Sequence, residues 1–60
     1  MEVDKEPLGK LWGLLEDART AAQDAFYAKT AQAQRGHLEE TIRLAREALK
    51  VIDELEGALP

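Results

Sequence analysis

Gln34-Arg35-Gly36-His37-Leu38-Glu39-Glu40 reads as the hinge of a helical hairpin. Arg35 places a cation where a preceding helix would present its last carbonyls, and Gly36 most readily takes the left-handed conformation that ends a helix. Glu39 and Glu40 then stand in the first turn of a second helix, where the macrodipole favours anions. No Ser, Thr or Asp stands directly before them as a cap, so the turn at Arg35-Gly36-His37 is expected to be tight. A connection this short between long helices forces them antiparallel.

Upstream of the hinge, Pro7 suits the first helical position because its missing N–H would have no partner there, and Asp4 and Glu6 precede it as favourable anions. From Pro7 onward Leu8, Leu11, Leu15, Ala18, Ala22 and Ala25 recur at alternating spacings of three and four, the helical period. Trp12 and Phe26 widen this stripe on one side, and Leu14, Ala21 and Ala28 on the other. Ala31 and Ala33 keep helix propensity high up to the hinge. The first helix is therefore expected over about residues 7–35, roughly 43 Å long at 1.5 Å per residue.

Downstream, Leu38, Ile42, Ala45, Leu49, Ile52, Leu55 and Leu59 form the main stripe, broadened by Leu44, Ala48 and Val51. Glu39–Arg43, Arg43–Glu47, Glu47–Lys50 and Lys50–Glu54 are spaced for intrahelical ion pairs on the polar side. Gly57 and Pro60 are expected to stop this helix, placing it at about 38–56. The first stripe is rich in Ala and suited to close approach, whereas the second is rich in Leu, Ile and Val and supplies bulk. No strand-like alternation and no internal repeat is present.

Both apolar arcs are wider than one partner helix covers, and 60 residues bury only about 60% of the surface their unfolded form exposes. A chain this small usually adds a disulfide, a metal or self-association, and Cys is absent. The expected architecture is an all-α antiparallel two-helix hairpin that pairs with a second copy into a four-helix bundle. A twofold dimer is the simplest closed solution. Leu8, Leu11, Leu15, Ala18, Ala22, Ala25, Phe26, Leu38, Ile42, Ala45, Leu49, Ile52 and Leu55 are the candidate self-association residues. The chain is expected to be one domain over 1–60 with a flexible N-terminus over 1–6.

Eight basic residues against twelve acidic ones give a net charge of −4, which repels phosphate backbones and anionic headgroups. Nucleic acid and membrane are accordingly not expected as partners. No window approaches the ~18 consecutive apolar residues of a membrane span, and Met1-Glu2-Val3-Asp4-Lys5-Glu6 is too acidic for the start of a secretory signal. The expected location is the cytoplasm.

The residues carry little that could do chemistry. Ser and Cys are absent, and Thr20, Thr30 and Thr41 have no histidine in register to activate them. His37 with Glu39, Glu40, Asp17 and Asp24 raises a carboxylate–histidine metal site, but the order is His-x-x-Glu and Asp17 and Asp24 fall on the polar side. Arg43, Arg46 and Lys50 make a basic line, interleaved by Glu39, Glu47 and Glu54 as an intrahelical pairing pattern would be. Gly9, Gly13, Tyr27 and Ala31 continue along the outward side of the first helix and, with Trp12, form a candidate surface for a second partner. No enzyme activity, cofactor or metal is expected.

The run from Gly36 to Asp53 resembles the second half of a tetratricopeptide repeat, with Gly36, Leu38, Ala48 and Leu49 at matching positions. It covers about a third of the chain. Thr41 is larger than the residue usual there, Asp53 stands where a proline is usual, and the first-helix signature is absent between Ala22 and Arg35. The resemblance implies a hairpin that packs in that style, without implying membership of the family.

The function expected from the residues is a non-enzymatic, homo-oligomeric interaction module or small regulatory or scaffold subunit. The alternatives are an acidic antitoxin-like or inhibitor-like subunit that folds on a larger partner, and a metal-carboxylate bundle enzyme.

Overall fold

Helix α1, Glu6–Tyr27, and helix α2, Ala31–Ala58, account for nearly all of residues 5–59, the part of the chain that the structure, a computed structural model, describes. They pack against one another as an elongated antiparallel hairpin with extents of 50 × 15 × 11 Å. The all-α hairpin expected from the sequence is the fold. The expected flexible N-terminus over 1–6 falls mainly on residues 1–4, outside the described residues; Glu6 is already helical.

The turn is not where the glycine suggests. The chain reverses at Ala28-Lys29-Thr30, and Arg35, Gly36 and His37 lie inside α2, so the first helix ends eight residues earlier than the 7–35 expectation. Thr30 is the physical reason. Its backbone is extended (φ −131°, ψ 152°) and its Oγ1 accepts a hydrogen bond from the Ala33 N–H at 3.1 Å, satisfying an otherwise orphaned donor of the first turn. α1 needs no glycine to stop: Ala28 turns extended (φ −64°, ψ 137°) while its N–H still donates to the Ala25 carbonyl at 3.3 Å. At the other end α2 runs through Gly57 to Ala58, two residues past the expected end.

Two predictions arise from this turn. Thr30→Ala removes the cap and is expected to cost about 1 kcal/mol, read as a lower thermal midpoint. Gly36→Ala is expected to stabilise by about 0.5–1 kcal/mol, because an interior helical glycine has only entropy against it and nothing lies within 4 Å of the added Cβ. Were Gly36 the left-handed terminator, the same change would destabilise. The sign of the shift in midpoint separates the two.

The seam between the helices follows one strict register. On α1 it takes Pro7, Leu11, Leu14, Ala18, Ala21, Ala25 and Ala28, spaced alternately four and three; Ala21 and Ala25 are fully buried and the rest half-buried. On α2 it takes His37, Thr41, Leu44, Ala48, Val51 and Leu55 with the same spacing, and Leu44, Ala48 and Val51 are fully buried. Thr41 is tolerated in the seam because its hydroxyl donates to the His37 carbonyl at 2.8 Å. Among the described residues no buried side-chain polar atom lacks a partner. Three of the five fully buried side chains are alanine, so the core is thin.

Candidate functional site

Each helix carries a row on either side of the seam, and the hairpin brings like rows together. Asp17, Thr20 and Asp24 of α1 share a groove with His37, Glu40 and Arg43 of α2, and Lys10 shares another with Glu47, Lys50 and Glu54. This is the acidic flank, with Asp17, Asp24, Glu40, Glu47 and Glu54 against Lys10, Arg43 and Lys50. Reversing one helix about an axis perpendicular to the pair keeps equivalent rows on the same side. The rows one residue beyond the seam in the other direction therefore meet on the opposite side: Leu8, Leu15 and Ala22 of α1 with Leu38, Ala45 and Ile52 of α2. Outside them run Trp12 and Phe26 on α1 and Ile42 and Leu49 on α2. This is the apolar flank.

The apolar flank is open. Trp12 is 70% exposed, Phe26 79%, Ile42 49% and Leu49 59%, and Leu8, Leu15, Leu38 and Leu59 are exposed as well. Large apolar side chains scattered singly over a surface are ordinary, but a continuous strip of them along both helices marks a surface that meets something. The seam contains His37 and Thr41 while Leu38, Ile42 and Leu49 stay outside. The most apolar stripe of α2 is thus the one the hairpin does not use.

Of the candidate self-association residues, Leu11, Ala18, Ala25 and Leu55 are engaged within the hairpin itself. Ala45 and Ile52 are half-buried beside the seam, and Leu8, Leu15, Ala22, Phe26, Leu38, Ile42 and Leu49 are exposed. Leu14, Ala21, Leu44, Ala48 and Val51, read from the sequence only as widening the stripes, join Ala25 and the half-buried Leu11, Ala18 and Leu55 in closing the fold. Their signal was the alternation of four and three through Leu11, Leu14, Ala18, Ala21 and Ala25, which shares every other member with the stripe through Leu8, Leu15 and Ala22.

The candidate second-partner surface divides differently. Gly9, Trp12 and Gly13 line one shallow depression with Glu16 on the outside of α1. Tyr27 lies at the end of α1, its ring edge-on to Phe26 with centroids 5.0 Å apart. Ala31 does not continue that line: it belongs to α2, beyond the turn, because Thr30 caps a new helix there.

On the acidic flank, the Arg43 guanidinium grips two carboxylates of its own helix. Its Nη2 donates to Glu40 Oε1 and its Nε to Glu40 Oε2 at 3.3 Å, while Nη1 donates to Glu47 Oε1 at 3.3 Å. The Arg43–Glu47 pairing expected from the sequence is present, but Arg43 takes Glu40 in place of Glu39. Glu40 and Glu47 are seven residues apart on one row with Arg43 between them, so one fork reaches both. The Glu47–Lys50 and Lys50–Glu54 pairs are not formed. The Arg43 hydrogen bond holds the Glu40 carboxyl below the usual carboxylate range, reinforced by the opposite charge and opposed by slight desolvation. A depressed carboxyl stabilises above its unfolded value and loses that contribution as the pH falls through its folded value. Both groups are open to solvent, where such a pair adds little.

Among the described residues, no group of three or more His, Asp or Glu is arranged to hold a metal ion, and no helix is long and apolar enough to cross a membrane. Compared with known proteins, the chain matches no family model, no curated protein and no solved structure. The likeness to a tetratricopeptide half-repeat therefore stays a likeness of sequence over residues 36–53, and in this chain Gly36 occupies a helix interior.

Proposed function

We propose that this chain is a non-enzymatic, self-associating helical-hairpin module that serves as an interaction or scaffold element. The observation that carries this reading is the unpartnered apolar flank. It runs along both helices and includes the most apolar stripe of α2.

Sedimentation equilibrium or light scattering on the purified chain tests the reading. A discrete oligomer at micromolar concentration is expected, and a folded monomer at 100 μM and above would defeat it.

The thin core favours one second reading, an acidic subunit that completes its fold on a larger, basic partner. On that account the isolated chain is poorly helical by circular dichroism and gains helix only on mixing. Strong helicity in the isolated chain, together with self-association, decides against it.

A further inference from the structure

We infer that Arg19 stops the self-association at two copies. The inference rests on the self-association reading and adds to it the residue that limits the assembly.

On each helix the apolar flank has an inner row beside the seam, through Leu15 or Ala45, and an outer row, through Trp12 or Ile42. Lys29 lies in the turn, and Lys5, Arg35 and Glu56 stand at the ends of the outer rows. Arg19 alone among the charges of these rows has a large apolar side chain on both sides of it, Trp12 one way along its row and Phe26 the other. Leu15 and Ala22 are its neighbours in the inner row. Among the described residues it has no ion pair and no hydrogen bond to its side chain, although Glu16 stands three residues before it.

A second copy suits this flank by charge. Outside the turn, and counting one further row outward on each helix, Lys5, Arg19, Arg35 and Arg46 stand against Glu16, Glu39, Asp53 and Glu56. The flank is therefore neutral on a chain whose net charge is −4. A strongly charged partner gains little there, whereas a second copy meets no net repulsion and brings carboxylates to the margin.

The limit follows from helix geometry. At 100° per residue the inner row lies about 70° around the helix from the centre of the seam, and the outer row about 130°. Two hairpins make a four-helix bundle, in which the two neighbours of a helix lie about 90° apart, so the second contact falls nearest the inner row. The outer row then borders the margin, where the long Arg19 stem can lie on apolar surface while its guanidinium reaches water or a carboxylate. Three hairpins open that angle to about 120° and bring the outer row to the centre of the contact. There the guanidinium would lose its water against apolar side chains, which is strongly unfavourable without a partner. One polar residue in an apolar seam limits coiled-coil assemblies in the same way.

Sedimentation equilibrium on the full chain tests this. The wild type is expected at twice the 6.7 kDa of the chain. Arg19→Leu puts an equally good helix former at an exposed position, so the hairpin stays folded. At the same concentration its mass is expected to rise to three chains or more. Thr20→Leu adds the same side chain beside the acidic flank and is expected to leave the mass at two chains. An Arg19→Leu assembly that remains at two chains overturns the inference, as does a wild type of three chains or more. Equal growth of Thr20→Leu overturns it too, because added hydrophobicity alone would then be the cause. A monomeric wild-type chain instead defeats the self-association reading itself, so the two failures are told apart.

Discussion

Val51→Asp is expected to abolish the folded hairpin. Val51 is 4% exposed and sits in the seam. A carboxylate there would lose most of its water inside the seam, and Lys10 and Lys50, which line the groove that Val51 borders, stand on its solvent side, already faced by Glu47 and Glu54. An unpaired buried charge of this kind costs about 3 kcal/mol or more. A folded chain of this length has roughly 3–9 kcal/mol in total. The expected result is loss of most helical circular dichroism at 25 °C, with Val51→Thr retaining it. A Val51→Asp chain that melts within a few degrees of wild type would show that the seam does not run through this position.

The second large effect concerns volume. Ala48 is the most buried residue of the core, 2% exposed. The register that sets Lys10 beside Val51 and Asp24 beside His37 brings Leu14 level with Ala48, large against small across the seam. Ala48→Leu would place two large side chains where one fits, an overpacking that costs about 1–3 kcal/mol. The companion variant Leu14→Ala leaves a void and is expected to cost about 2 kcal/mol. Combined, Leu14→Ala/Ala48→Leu restores the total volume with the sizes exchanged. It is expected to recover more than half of the summed losses in a denaturant-unfolding cycle. Additive losses in the double variant would mean that the two side chains do not meet.

Much of the fold was legible. The helical period, Pro7 near the first start and the absence of alternation specify two long helices, and their apolar stripes pack against each other. The hinge was misplaced because Gly36 and the acids after it imitate a helix junction. The better signal was the missing cap in front of Glu39, set against Thr30 with Ala31 and Ala33 behind it. An interior glycine costs a helix about 1 kcal/mol, which the Thr30 cap offsets, and a long α2 then brings the alanine row of α1 onto Leu44, Ala48 and Val51.

The candidate surfaces were legible as composition but not as placement. Trp12, Phe26, Leu38, Ile42 and Leu49 stand out as apolar in any reading. Which of them close the hairpin and which remain outside is not written in their spacing.

Period and composition are enough to make this an all-helical hairpin with large apolar side chains left outside, because they act locally and are read residue by residue. Which stripe became the seam was settled by the packing of the two helices against each other. On α1 the row through Leu14 and Ala21 and the row through Leu8, Leu15 and Ala22 satisfy the same helical period and share Leu11, Ala18 and Ala25. On α2 the winning row contains His37 and Thr41, which a hydrophobicity pattern passes over. The choice rests on fit across the interface. Alanines on α1 let the backbones close onto Ala48, with Leu44 and Val51 filling what remains, and that leaves the bulkier stripe facing outward.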